Sequence, residues 1–110
     1  MFLTVLKSKI HRIAVTDKNL HYEGSITIDE DLMEEAGLVP NERVEVYNIN
    51  NGERFSTYVI PGRKGTKECV LNGATARKGE VGDLLIVVAF AIIDSEEAKS
   101  FKPKVVYLNQ

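Results

Sequence analysis

Cysteine and histidine are scarce in this 110-residue sequence, and each shortage excludes a class of protein. The single cysteine, Cys69, cannot form an internal disulfide and is typical of a reducing compartment, so a cytoplasmic location is expected. Its mostly apolar setting in Glu68–Leu71 predicts a small core residue rather than a nucleophile. The two histidines show no close ligand spacing, so no zinc or other metal site is expected.

Long apolar runs and an excess of positive charge are also missing. The longest apolar run, Leu84 to Ile93, is far short of the roughly 20 residues of a membrane span and predicts a buried strand. No signal-peptide pattern is visible at the N-terminus. The formal net charge is −2, and the basic residues Arg63, Lys64 and Lys67 are too few to outweigh it. We therefore expect neither a membrane nor a nucleic acid as partner.

The residues that are present predict one mainly β domain over 1–110. Hydrophobic residues make up 44% of the chain and charged residues 27%, which suits a single packed core. About six to eight short strands alternate with tight turns, and this pattern is typical of a small, mostly antiparallel barrel. One helix is predicted over Asp29 to Ala36, with Asp29 as its N-cap and Gly37 after its end.

The strand predictions fix several details that the structure can test. Phe2 to Leu6 and Ile10 to Thr16 are predicted as two strands, followed by a polar turn at Asp17–Asn19. A hairpin turn at Asn50–Gly52 leads into a strand over Arg54 to Ile60. Strand alternation places two sets of residues on opposite faces there, namely Arg54, Ser56 and Tyr58 against Phe55, Thr57 and Val59.

The dipeptide Gly24-Ser25 lies between two strand-like segments and could be unusually reactive. Glycine leaves its own carbonyl carbon uncovered and tolerates backbone angles that other residues avoid. The Ser25 hydroxyl is the nearest nucleophile to the Gly24 carbonyl, so it could attack the preceding peptide bond. Gly-Ser is also an ordinary turn dipeptide, and on its own it predicts only a turn.

Polar side chains in otherwise apolar strands form the pool of candidate site residues. They are Lys9, His11, Tyr22, Ser25, Arg54, Thr57, Tyr58 and Asn72. A hydrolytic triad of Ser25 with His11 or His21 and an aspartate can be written down, but no nucleophile-elbow sequence surrounds Ser25. A hydrolase is therefore not predicted.

Four motifs in order along the chain resemble one family. They are Lys9-Ile10-His11-Arg12, Leu20-His21-Tyr22-Glu23-Gly24-Ser25, Asn51-Gly52-Glu53-Arg54-Phe55-Ser56-Thr57-Tyr58 and Asn72-Gly73-Ala74. With them the chain resembles, nearly end to end, the aspartate 1-decarboxylases, small pyruvoyl enzymes that make β-alanine for pantothenate biosynthesis. The turn Val81-Gly82-Asp83 adds support, since it resembles a turn of double-psi barrels.

The resemblance implies a fold, an assembly and a self-processing step. The implied fold is a six-stranded double-psi β-barrel with one or two short helices, assembled as a homotetramer with active sites between subunits. The Ser25 hydroxyl would attack the Gly24 carbonyl with help from Thr57. Elimination and hydrolysis would then leave a pyruvoyl group at residue 25 and divide the chain into 1–24 and 25–110.

The resemblance also implies the catalytic roles. The pyruvoyl group would form a Schiff base with L-aspartate and accept electrons as carbon dioxide leaves. Arg54 and Lys9 are the candidate cations for its carboxylates, and Tyr58, a phenol that is protonated at neutral pH, is the candidate proton donor. The other substrate-contacting positions are Thr57, Gly73, Ala74 and Thr75. The positions implied for processing or orientation are Gly24, Tyr22, His11 and Asn72.

Two alternatives remain open at this point. The chain could be a barrel that never processes itself and instead binds a ligand or regulates another protein. Related small barrels also occur in DNA-binding regulators, which the acidic balance disfavours. The sequence also leaves open whether self-cleavage is spontaneous or needs a maturation factor.

Overall fold

The computed structural model describes residues 1–108 and shows a mainly β chain with short helices, as predicted. Within those residues the strands are β1 (Phe2–Ala14), β2 (Asp17–Asn19), β3 (Ser25–Asp29), β4 (Arg43–Asn48), β5 (Arg54–Gly62), β6 (Cys69–Asn72), β7 (Leu84–Asp94) and β8 (Lys104–Tyr107). The helices are α1 (Glu30–Ala36), a 3-10 helix (Gly73–Lys78) and α2 (Ser95–Ala98). None of the helices described in residues 1–108 is long and apolar enough to cross a membrane.

The strands form one mixed sheet in the order β2-β6-β3-β5-β4-β7-β1-β8. Strand β3 lies between β5, which runs parallel to it, and β6, which runs antiparallel. Strand β1 pairs with β7 in antiparallel and with β8 in parallel fashion. The ladder thus extends over eight strands, and its closure into a six-stranded double-psi barrel stays a prediction.

The core consists of alternate residues on the inner face of this sheet. Fully buried members include Ile10, Ile26, Val46, Leu71 and Val87, each at most 1% exposed. Burial of such aliphatic side chains is the main favourable term in folding. Because side chains alternate along a strand, the residues between them point to the other face, where Ser25, Arg54 and Tyr58 lie.

Cys69 belongs to this core, which confirms the prediction of a small buried residue. Its side chain is fully buried and its thiol is free. Burial, reinforced by the neighbouring carboxylate of Glu68, raises the pKa of the Cys69 thiol to about 12. The group is therefore a neutral thiol at physiological pH and carries no nucleophilic chemistry.

The N-terminal segment differs from the prediction. One strand of 13 residues, β1, replaces the two predicted strands. Its pairing with β7 extends over the whole strand because the register shifts at two irregularities, one between Leu6 and Ser8 and one between His11 and Ile13. Each irregularity accommodates an extra residue without ending the strand. The predicted turn at Asp17–Asn19 was also wrong, since these residues form β2 and pair with β6. Local polarity alone could not reveal a partner strand some 50 residues away.

The predicted helix and hairpin are confirmed. Asp29 caps α1 by accepting a hydrogen bond from the Asp31 amide at 2.9 Å, and Gly37 ends the helix in the left-handed conformation at φ 75°. Strands β4 and β5 pair in antiparallel fashion on either side of the turn at Asn50–Gly52. This hairpin sets the register of Arg54 and Tyr58, which matters for the site.

Candidate active site

Ser25 lies where an exposed loop enters the core. The residues before it, from Leu20 to Gly24, are all exposed, whereas Ser25 itself is 1% exposed at the start of β3. It is paired with Asn72, the last residue of β6. The Gly24-Ser25 peptide therefore joins a solvent-accessible loop to a rigid strand.

The Ser25 hydroxyl is held by two hydrogen bonds. It accepts one from Asn72 Nδ2 at 3.0 Å and donates one to the carbonyl oxygen of Glu23 at 3.2 Å. The same Asn72 amide nitrogen also donates to Thr27 Oγ1 at 2.8 Å. Because an amide nitrogen has two hydrogens, it can serve both hydroxyls at once, which fixes the orientation of Asn72 against β3.

Gly73 allows the loop to approach this closely. Its φ of +65° is in the left-handed region that favours glycine. A Cβ at this position would lie 2.7 Å from both Cα and N of Gly24, and 2.8 Å from the carbonyl oxygen of Tyr22. Any side chain here would push the loop and the Gly24-Ser25 peptide away from the 3-10 helix.

Thr75 contacts the carbonyl oxygen of Ser25, whereas Asn72 contacts its hydroxyl. The side chain of Thr75 is buried in the 3-10 helix, and its hydroxyl lies 3.2 Å from the carbonyl oxygen of Ser25 and 2.8 Å from that of Asn72. Ala74, between Gly73 and Thr75, is exposed. The buried polar groups around Ser25 are therefore hydrogen-bonded to one another, as such groups need to be.

Tyr58 and Thr57 reach this region through the parallel pairing of β3 with β5. The pairing starts with Ile26 opposite Val59. Extending that register by one residue places Tyr58 beside Ser25, with Thr57 one residue earlier. Both side chains are half-buried. The predicted faces of β5 are confirmed by its partners in β4, because Thr57 pairs with a buried valine and Tyr58 with an exposed arginine.

Lys9, His11 and Arg54 lie elsewhere, on the outer face of β1 and β5. One row of paired residues across the sheet runs from His11 through Ile86 and Tyr47 to Arg54. The guanidinium carbon of Arg54 stacks 3.8 Å above the centre of the Tyr47 ring. His11 packs edge-on against Tyr107, with ring centres 5.8 Å apart, and its buried Nδ1 has no hydrogen-bond partner among the described residues.

The side chain of Lys9 has no hydrogen bond or ion pair within residues 1–108. Its backbone pairs with Val88, which pairs in turn with Glu45 and so leads to Ser56 on β5. Three strand spacings thus separate Lys9 from β5, about 14 Å at the usual spacing. Arg54 is four residues before Tyr58 on an extended strand, a separation of about 13 Å.

The candidate residues therefore form two groups within one chain. The processing group, as we call it, contains Gly24, Ser25, Asn72, Gly73 and Thr75, with Thr57 and Tyr58 beside it in the register. The cationic group contains Lys9, His11 and Arg54. No hydrogen bond joins the two groups in the part of the chain that the structure describes.

Tyr22 belongs to neither group but lines a cavity next to the processing group. The cavity has a volume of about 550 Å³, and its wall also includes Asn72, Thr27, Ile60 and Arg63. Tyr22 is 54% exposed, so this wall is open to solvent. Within residues 1–108 no cluster of three histidine, cysteine, aspartate or glutamate side chains could hold a metal ion.

Two contact residues were missed from the sequence. Tyr47 was not singled out, although counting residues back from the hairpin turn at Asn50–Gly52 would have placed it opposite Arg54. Thr27 was also missed, and strand alternation from Ser25 would have placed it on the same face of β3. In both positions the signal was the register rather than the residue type.

Comparison with known proteins identifies the family. A family model described as aspartate decarboxylase matches residues 1–110. The protein called aspartate 1-decarboxylase in Persephonella marina is 59% identical over 107 residues, 97% of this chain and 76% of that protein.

Two further relatives carry the same name. That of a Sulfurihydrogenibium species is 54% identical over 110 residues, which is 100% of this chain and 82% of the relative. That of Parabacteroides distasonis is 58% identical over 107 residues, which is 97% of this chain and 92% of the relative. The chain therefore belongs to the aspartate decarboxylase family of carboxy-lyases.

Proposed function

We propose that this chain cleaves itself between Gly24 and Ser25 and then converts L-aspartate to β-alanine and carbon dioxide with the resulting pyruvoyl group. The observation that carries the proposal is the buried Ser25 hydroxyl, held by Asn72 next to an exposed peptide bond in a chain of this family. We propose that its product supplies pantothenate biosynthesis and that the protein is cytoplasmic.

Self-cleavage begins with an acyl shift. The Ser25 oxygen attacks the Gly24 carbonyl carbon, the carbon–nitrogen bond breaks, and the proton of the hydroxyl ends on the released Ser25 amine. Asn72 supports this step by orienting the hydroxyl oxygen at 3.0 Å. Gly24 supports it as well, since it places no side chain next to its own carbonyl carbon. Thr57 is the proposed donor to the negative oxygen that develops during the attack.

The ester then loses its acyl part. Removal of the Cα proton of Ser25 and breakage of the Cβ–Oγ bond release the carboxylate of Gly24 and leave dehydroalanine. Addition of water and loss of ammonia convert dehydroalanine into the pyruvoyl group. Residues 1–24 remain anchored after this cleavage because β1 is paired along both of its edges, with β7 and β8.

The surroundings of residue 25 fit a pyruvoyl group. Asn72 and Thr75 are hydrogen-bond donors to its side chain and its carbonyl oxygen, and Gly73, having no Cβ, lets the preceding loop lie close to it. The group supplies a ketone that binds the substrate amine and withdraws electrons from it. Tyr58, next to residue 25 in the register, is the proposed donor of the proton that replaces the lost carboxylate.

Arg54 and Lys9 are the proposed ligands of the two substrate carboxylates. A guanidinium group can bind a carboxylate with two parallel hydrogen bonds, and the flat face of Arg54 is already supported by Tyr47. Lys9 has no partner within the described residues and so can accept an anion without breaking an ion pair. His11 and Tyr22 are proposed to orient the substrate or the loop.

A homotetramer with sites between subunits explains why these cations lie far from Ser25 in one chain. A second copy would bring its cationic group to the processing group of the first. The ribbon formed by the ends of β1 and β7 offers an apolar surface for such contacts, since Phe2 is 72% exposed, Ile92 74% and Phe90 45%. Apolar patches of this kind commonly mark interfaces between protein chains.

Intact-mass measurement tests the proposal. After incubation, with and without cell extract as a source of a maturation factor, two fragments are expected, 1–24 and a 25–110 fragment carrying a pyruvoyl group. Borohydride reduction with L-aspartate should then attach the substrate to the 25–110 fragment. A chain that remains whole in every condition would contradict the proposal and favour a non-catalytic barrel.

A further inference from the structure

We propose that the Thr75 hydroxyl donates the hydrogen bond that stabilises the negative charge formed on the Ser25 carbonyl during elimination. This inference rests on the proposed function, because it assigns a residue to the second step of self-cleavage. The hydroxyl lies 3.2 Å from the Ser25 carbonyl oxygen, which is a different carbonyl from that of Gly24, the one attacked first.

The need for a donor at this oxygen follows from the chemistry of elimination. When water, acting as the base, takes the Cα proton of Ser25, the electron pair of that bond is shared with the adjacent carbonyl. The carbonyl oxygen therefore becomes more negative before the Cβ–Oγ bond breaks and its electron pair leaves with the Gly24 carboxylate. A positioned donor at the site of developing charge lowers the barrier of such a step.

The fold holds the Thr75 hydroxyl in place for this role. Thr75 is buried in the 3-10 helix, and its hydroxyl also lies 2.8 Å from the carbonyl oxygen of Asn72, three residues earlier. A hydroxyl has one hydrogen, which can point to only one of the two oxygens at a time. The bond to Asn72 is the shorter in the resting chain. Growing negative charge on Ser25 would draw the hydrogen toward Ser25, since charge-assisted hydrogen bonds are the stronger ones.

The first step, the acyl shift, does not need a hydrogen-bond donor at the Ser25 carbonyl. During the acyl shift the charge develops on the Gly24 oxygen, and the carbonyl of Ser25 is unchanged. The groups proposed for that step are Asn72, at the Ser25 hydroxyl, and Thr57. Loss of the Thr75 hydroxyl should therefore slow the elimination and leave the acyl shift largely intact, so that the ester accumulates.

The test uses the full chain with Thr75→Val, which keeps the branched shape, and Thr75→Ala, which removes it. Elimination should slow by about tenfold, the effect of one hydrogen bond worth about 1.4 kcal/mol. Under mild, brief treatment hydroxylamine cleaves an ester far faster than a peptide bond, so at early times it should split both variants into fragments that end at Gly24 and begin at Ser25. Mass spectrometry distinguishes these fragments from slower cleavage at Asn51-Gly52 and Asn72-Gly73. Thr75→Ser, which keeps a hydroxyl, should process at nearly the rate of the parent chain.

A matched control removes the same kind of bond far from Ser25. Thr66 donates to the carbonyl of Arg63, also three residues earlier, at 2.7 Å in an exposed loop. Thr66→Val should show no ester accumulation. A second readout is the isotope effect, because chains made with Cα-deuterated serine should lose the Thr75→Val ester more slowly than unlabelled chains.

Three results would overturn the inference. They are parent-like processing of Thr75→Val and Thr75→Ala, accumulation of a whole chain that hydroxylamine cannot split, and an ester whose decay shows no isotope effect. Failure of the proposed function looks different, since the parent chain and the Thr66→Val control would then also remain whole. In that event no elimination takes place and the role assigned to Thr75 falls with it.

Discussion

The processing group and the cationic group differ in how far one chain completes them. Around Ser25 the polar side chains are buried and bonded to one another at 2.8 to 3.2 Å, and Gly73 gives the loop its space. On the outer face, within residues 1–108, the side chain of Lys9 has no partner and that of Arg54 contacts only the ring of Tyr47. On the proposed function, the residues for self-cleavage lie together in one folded chain, whereas substrate recognition would require the two groups to be brought together.

The largest effect is expected when two variants, each defective in one of the two groups, are combined in one assembly. Tyr58→Phe damages the processing group and Arg54→Ala the cationic group, and each alone should cleave itself normally but turn over little aspartate. If a site takes its two groups from two chains, co-expressed variants should form some intact sites. With equal random mixing in a symmetric assembly, about a quarter of the sites would be intact.

The measurement is β-alanine formation by co-purified mixed assemblies, with separately purified variants mixed after assembly as the control. Activity near a quarter of the parent value would support sites shared between chains. If both groups of a site came from one chain, the mixed assemblies would be no more active than the separate variants.

Substitution of Gly73 should greatly slow self-cleavage and leave the cationic group unchanged. In Gly73→Ala the new Cβ would lie 2.7 Å from Gly24 and would also strain the backbone at φ +65°. We expect self-cleavage to slow by about 100-fold or more, as happens when a reacting group is displaced by about 1 Å. The appearance of the 25–110 fragment by mass spectrometry measures this rate.

Gly65→Ala is the matched control because Gly65 also has a positive φ, +74°, but has open space where the Cβ would be. It imposes similar backbone strain without pressing on the loop. Slow cleavage in Gly73→Ala with normal cleavage in Gly65→Ala would assign the effect to contact with the loop. Equal slowing in both would show that general destabilisation is responsible.

A smaller effect is expected in the cationic group from loss of the Tyr47 ring. Tyr47→Leu removes the surface on which Arg54 stacks, an interaction worth about 0.5–1 kcal/mol at an exposed position. The KM for aspartate should therefore rise by roughly two- to fivefold. Tyr47→Phe, which keeps the ring, should retain a KM near that of the parent, and self-cleavage should be normal in both. Equal KM values for the two variants would contradict a role of the ring.

Much of this arrangement followed from the sequence because it is local. The cap of α1 at Asp29, the hairpin at Asn50–Gly52 and the alternating faces of β5 depend on neighbouring residues, and the structure confirms all three. The single strand β1 and the pairing of β2 with β6 were not predictable, since they depend on strands distant in sequence.

In the candidate site, too, local features could be predicted from the sequence and long-range ones could not. Gly24, Ser25, Asn72 and Gly73 could be proposed as neighbours from the motifs, and the register places them together. The separation of Lys9 and Arg54 from Ser25 depends on the order of the strands in the sheet. Local sequence patterns do not predict that order. Roles of individual site residues stay predictions until the variants above are measured.

Asp29 is the last residue of the strand that begins at Ser25. Its substitution should give the smallest effect, and the effect is on the stability of the fold rather than on the reaction. Burial by itself raises the pKa of Asp29, but hydrogen bonds from backbone amides, those of Lys67 and Asp31 foremost, outweigh this and hold its pKa below the usual 3.8. A carboxylate with a lowered pKa stabilises the fold above about pH 4 and loses that contribution as the pH falls through its folded-state pKa.

Asp29→Asn cannot ionise and accepts fewer hydrogen bonds, so it should be about 1–2 kcal/mol less stable than the parent at pH 7. Because the parent alone loses the contribution of the carboxylate in acid, the difference should shrink below pH 4. Urea unfolding at pH 7 and pH 3, with Asp94→Asn at the exposed cap of α2 as control, measures it. A difference that is the same at both pH values would mean that Asp29 acts through packing and not through its charge.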